Sequence, residues 1–136
     1  MTELYRFLDA VFFIFHGLVV LVNVFGWIPR RTRRLHLVVM VVTAISWFAL
    51  GPLFGYGVGY CFCTDWHWRV RRALGYDDVG NYVQLLLSAV GLQLSAEASS
   101  MLAYGAFAAA AVGATLTAVF RRRITRSGAS IYPNGQ

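Results

Sequence analysis

The sequence contains no lysine; all 12 basic residues are arginine, set against 6 acidic ones. Charged residues make up 13% of the 136, where a soluble domain carries roughly 25%. That scarcity excludes a disordered chain and a surface-rich nucleic-acid domain, and argues against an ordinary soluble fold. Catalytic patterns are also missing. The chain has no pair of carboxylates, no nucleophile–base arrangement, no phosphate-binding loop and no C-x-x-C. What it has is hydrophobicity, at 58% of residues.

The apolar residues gather in three long uncharged runs, 10–28, 35–55 and 101–120. A helix of roughly 20 residues crosses about 30 Å of hydrocarbon, and all three runs fit. Soluble core helices would show charged outer faces, which these runs lack. The first run has no basic region before it and no small-residue cleavage site after it, so it reads as a retained span rather than a cleaved leader.

Arginine placement sets the expected orientation. The turn Pro29–Arg34 carries Arg30, Arg31, Arg33 and Arg34; the tail carries Arg121, Arg122, Arg123 and Arg126. The segment before the first span is net negative and the long middle segment is balanced. Basic residues collect on the cytoplasmic side. The turn and the C-terminus are therefore expected in the cytoplasm of a bacterial inner membrane, with the N-terminus and residues 56–98 outside. Following a span directly, the tail arginines read as anchors to anionic lipid, not as a nucleic-acid patch.

Two shorter segments complete an all-α reading of one membrane domain, 1–136. Residues 66–74 predict an outer-surface helix ending at Gly75, with Thr64 or Asp65 as its cap. Residues 82–94 put Gln84, Ser88, Gly91 and Ser95 near one face, which predicts an amphipathic helix lying along the membrane surface. A fourth crossing is the alternative, but the run is short. Pro52 predicts a kink or an end to the second span. Gly105, Ala109 and Gly113, four apart, offer a close helix–helix approach, either to the other spans or to another subunit.

Candidate chemistry is sparse. Cys61, Cys63 and His67 form C-x-C-x3-H, ligand types suited to zinc or copper, although a fourth ligand is needed. A Cys61–Cys63 disulfide would be strained and reactive. The same segment also reads structurally, with Trp66 and Trp68 as interface anchors. His16 lies at mid-depth in the first span. Ionisable groups there usually face protein, so it either ligates a haem or chlorophyll-type group at a subunit interface or hydrogen-bonds to Thr43 or Ser46. Asn23, on the same face, predicts an interhelical hydrogen bond. Asp9 is expected to pair with Arg69 or Arg72. His36 reads as an unremarkable headgroup-level residue.

The run FHGLVVLVNVFGWIPRRTRRLHLVVMVVTAISWFALG, followed by GYCFCTDWHWRVRRALG, resembles DUF2784, a bacterial family of small membrane proteins of unknown function. The resemblance covers roughly residues 7–120. It rests on His16, Asn23, Gly26-Trp27, Cys61, Thr64, Asp65, His67 and Trp68. Relatives often carry a proline where this chain has Phe62-Cys63, so the resemblance implies that the second thiol is not general. It implies an architecture and no activity. The expected role is a small accessory subunit among other integral membrane subunits, of the kind that accompanies respiratory and photosynthetic assemblies. A metal- or cofactor-binding redox protein is the rival. No cofactor is expected within the chain alone.

Overall fold

The computed structural model describes residues 2–59, 61–77 and 80–129, with side chains described through 120. Every element among them is helical. The first span is α1, Thr2–Phe25. The second, α2, runs Arg33–Ile45 and continues through a π-helical turn, Ser46–Leu50, into a last short turn, Gly51–Leu53. Two short helices follow, α3 (Phe62–Ala73) and α4 (Tyr82–Ala89). The chain closes with α5, Ala96–Ala129. Three helices are long and apolar enough to cross a membrane: Thr2–Phe25, Arg33–Leu53 and Ala96–Phe120.

The α1–α2 hairpin is closed by polar groups, not by turn propensity alone. Gly26 donates to Val22 O at 2.9 Å, and His36 Nδ1 donates to the same carbonyl at 2.9 Å. Thr32 Oγ1 donates to Gly26 O at 2.8 Å and Arg33 Nε to Trp27 O at 2.9 Å. The carbonyls just past a helix end have no intrahelical partner, and Thr32 and Arg33 supply one to Gly26 and Trp27. A Cβ at Gly26 would lie 2.9 Å from that of His36, so only glycine admits this approach. His36 is thus a buried hairpin residue, 1% exposed, and not a headgroup bystander. Arg33 binds the turn carbonyls of Trp27 and Ile28, while Arg30, Arg31 and Arg34 stay exposed. The side chains of Arg121, Arg122, Arg123 and Arg126 lie outside the described residues, as does the segment 130–136.

Pro52 ends the second span by the expected route, with an added detail. A proline interferes with the carbonyl one turn earlier and has no N–H. The helix widens ahead of it, with Gly51 N–H reaching Ser46 O. The carbonyl of Trp47 is taken instead by Gly59 N–H at 3.3 Å. Gly59 adopts a φ of 90° and leaves room for the Tyr104 ring.

The short helices depart from their predicted bounds. Helix α3 starts at Phe62, with Cys61 as its N-cap and no side-chain cap bond; Asp65 sits in its first turn and pairs with Arg69 at 3.0 Å. Gly75 closes it with a φ of 85°, and Tyr76 N–H reaches back to Arg71 O, the expected glycine stop. Helix α4 ends at Ala89, followed by a turn through Gly91. At 8 residues it is far too short to cross a bilayer. Gln84 and Ser88 line a polar depression with Trp68, Asn81 and Gln93.

Candidate functional site

One face of α1 organises the interior. Asp9, Phe12, Phe13, His16, Gly17, Val20 and Asn23 recur at three- and four-residue spacings, as an inward helical stripe must. Helix α3 packs along the first half of that stripe, because His67, Val70 and Arg71 share one face.

Asp9 ties the two helices together. His67 Nε2 donates to Asp9 Oδ1 at 2.7 Å, and Arg71 Nη1 donates to both carboxylate oxygens at 3.1 and 3.3 Å. His67 is fully buried, stacked on Phe12 at 5.8 Å. The predicted partners Arg69 and Arg72 are therefore replaced by His67 and Arg71. The helix phase explains this: on α3, Arg71 lies four residues from His67 and so shares its face, whereas Arg69 lies two residues away and points elsewhere. Buried ion pairs stabilise weakly in net terms but penalise any arrangement that separates them. Arg71 also lies over the Tyr76 ring at 4.5 Å.

The ring contact of His16 is with another helix than the expected one. The imidazole lies face to face with Tyr82 of α4, with ring centroids 3.9 Å apart and planes 4° apart. The Tyr82 hydroxyl donates to Phe13 O at 2.5 Å, and a Cβ at Gly17 would come within 3.1 Å of the hydroxyl oxygen. Thr43 is engaged by Asn23, whose Nδ2 donates to its Oγ1 at 3.0 Å, the interhelical bond expected of Asn23. Tyr82 was not a sequence candidate. The available signal was an aromatic immediately after a capping asparagine: Asn81 Oδ1 accepts from Gln84 N–H, and Asn81 Nδ2 donates to Ala96 O and Ser100 Oγ.

Below this layer is a chamber of about 460 Å3 between the spans, bounded by α1, α2, α4 and α5. Its lining is apolar except for His16, Asn23, Thr43, Cys61, Thr64, Asn81, Tyr82, Ser100 and Tyr104. His16 Nδ1 and Asn23 Oδ1 are buried without a hydrogen-bond partner among the described residues.

Cys61, Cys63 and His67 do not form a ligand set. Cys61 and Cys63 are free thiols, while His67 is turned to Asp9. Among the described residues no group of three His, Cys, Asp or Glu side chains is placed to hold a metal ion. The thiols interact with each other: the Cys63 thiol donates to Cys61, lowering Cys61 to about 6 and raising Cys63. Trp68 Nε1 donates to Gly80 O at 3.1 Å; Trp66 stays exposed. Trp27 packs on Gly113, where a Cβ would lie 2.9 Å from its ring. Gly105 and Ala109 face outward instead of packing on the other spans, because α5 buries the neighbouring stripe through Phe107 and Ala110.

The match that decides the family spans residues 6–120, to the family described as "Protein of Unknown function (DUF2784)". The chain belongs to DUF2784. No curated protein and no solved structure gives a significant match. Of the residues that carry the resemblance to DUF2784, His16, Asn23 and His67 all turn inward on the α1 stripe or against it. Gly26 closes the hairpin, and Trp68 holds the loop before α4.

Proposed function

We propose that this protein is a small accessory subunit that packs in the bacterial cytoplasmic membrane against a larger integral membrane protein. The last span supports the reading. Only 6% of its apolar window is buried within the chain. A side chain at Gly105 would meet nothing within 4 Å, and Ala109, Val112 and Leu116 continue that exposed side. Helix association in lipid depends on close packing, which small residues permit. The test is native size after mild detergent extraction. The wild-type protein is expected to run in a complex well above its own 15.2 kDa, and Gly105→Leu to release it as a folded monomer. A wild-type monomer without a co-purifying protein overturns the reading.

A second reading, a cofactor- or ligand-binding membrane protein, is favoured by one observation: the pocket between the spans, which His16 and Asn23 help to line. It places the ligand at His16, not at the thiols.

A further inference from the structure

The fold uses the four arginines of the α1–α2 turn in two ways. Arg33 holds the carbonyls of Trp27 and Ile28. Arg30, Arg31 and Arg34 are exposed, and they take part in no ion pair or side-chain hydrogen bond among the described residues. The described carboxylates lie elsewhere. Asp9 precedes the end of α1 by sixteen residues, about 24 Å along the axis, and is held there by His67 and Arg71. Asp65 is on α3, paired with Arg69, and Asp77 lies in the loop after that helix. Glu97 is in the first turn of α5, sixteen residues before the Gly113 that meets the Trp27 ring, again about 24 Å. Charges are screened over about 8 Å at physiological ionic strength, so none of these neutralises the turn. The turn is also held in one shape: Thr32 Oγ1 donates to Gly26 O and Pro29 O, and His36 N–H to Thr32 O. A fixed backbone lowers the cost of ordering a ligand on it. Helix α2 begins directly behind, with no acidic residue in its first turn, so the positive end of its dipole adds to the field of the guanidinium groups.

The chemistry of the partner follows from the charge and from what flanks it. A guanidinium fork matches two phosphate oxygens. The turn joins two helices long and apolar enough to cross a membrane, so its arginines stand at headgroup level. Ile28 and Leu35, on either side of the cluster, are exposed; acyl chains would cover them, and a soluble polyanion would not. We propose that the α1–α2 turn binds an anionic phospholipid, its phosphodiester held by Arg30, Arg31 and Arg34 and its acyl chains lying against Ile28 and Leu35. The site depends on where these arginines stand, not on the net charge of the chain. It is independent of whether the chain has a protein partner.

The experiment titrates the full chain, in a neutral detergent, with phosphatidylglycerol or with phosphatidylcholine of the same acyl chains. Native mass spectrometry counts the lipid bound. An arginine near anionic headgroups contributes about five-fold in affinity, so a preference for phosphatidylglycerol of about ten-fold or more is expected. Replacing Arg30, Arg31 and Arg34 together by Gln should remove most of that preference. Replacing Arg121, Arg122 and Arg123 together by Gln removes the same charge and should leave most of it. Inorganic phosphate, at matched ionic strength, should not displace the lipid. Equal affinity of the wild-type chain for the two lipids overturns the proposal. So does an equal loss in both variants, which would make net charge the cause, or a loss confined to the tail variant. Displacement by inorganic phosphate also overturns it, since the occupant would then be a soluble anion. The three turn side chains hold nothing together within the described fold, so their replacement should leave the helical circular dichroism unchanged. The wild-type comparison stands without any variant.

Discussion

Asp9 accepts from two side chains more than fifty residues away in sequence, and its removal takes a carboxylate partner from both. Asp9→Asn keeps the shape and loses the charge that faces Arg71. The pair is mostly buried, with side chains 13% and 23% exposed, so the expected cost is about 2 kcal/mol. Denaturant unfolding in detergent measures it, and an unchanged midpoint would show that the carboxylate is dispensable. Cys61 offers a second residue-scale test. Its sulfur accepts from the Cys63 thiol and lies at the N-terminus of α3, and the thiol falls from 9.0 to about 6. Below that pH it is a neutral thiol; above it, a thiolate, the nucleophilic form. Alkylation of Cys61 by iodoacetamide should rise through pH 6 and level off near pH 8, and Cys63→Ala should move the rise to higher pH. A wild-type rate still climbing at pH 9 would contradict the thiol–thiol hydrogen bond. His16 and Asn23 were readable as inward-facing residues, because a polar side chain at span depth has few other places to go. Tyr82 and Arg71 were not, since their partners lie on other helices.

Helix lengths followed from apolar runs, because a bilayer sets a minimum span. Helix ends did not, because they depend on which groups satisfy the terminal carbonyls and N–H groups. The second span shows both sides of this. Pro52 announced its end, while the π-helical turn and the Trp47–Gly59 hydrogen bond that accompany it required the folded chain. The hairpin gives the element-scale prediction. Gly26→Ala pushes a methyl group into the backbone of Val22 and the side chain of His36, and should cost about 1–3 kcal/mol. Gly105→Ala, in open space in mid-helix, should raise stability of the isolated chain by up to about 1 kcal/mol. Unfolding midpoints of the two variants in the same detergent decide the point; equal midpoints would deny the close approach of α1 and α2.

The whole molecule is a thin bundle: its three apolar windows bury only 11%, 17% and 6% of their residues within the chain. Most of each span therefore faces lipid or another protein, and the chamber between the spans is half open. Arginine placement predicts that Cys61 and the C-terminus lie on opposite sides. A membrane-impermeant maleimide should label Cys61 on intact cells, whereas a cysteine introduced at Ser127, in a Cys61→Ala, Cys63→Ala background, should react only after permeabilisation. Labelling of both from the same side would overturn the topology.

Composition and spacing alone determined a three-span helical membrane protein, the inward side of α1 and the stop signals at Pro52 and Gly75. These are local consequences of hydrocarbon thickness, helical period and backbone chemistry. The tertiary structure decided which residues meet. It brought His67 and Arg71 to Asp9, laid Tyr82 on His16, turned Gly105 outward and Gly113 onto Trp27, and opened the chamber. Those pairings depend on the rotation of each helix about its axis and on how closely backbones approach, and packing of the whole chain sets both.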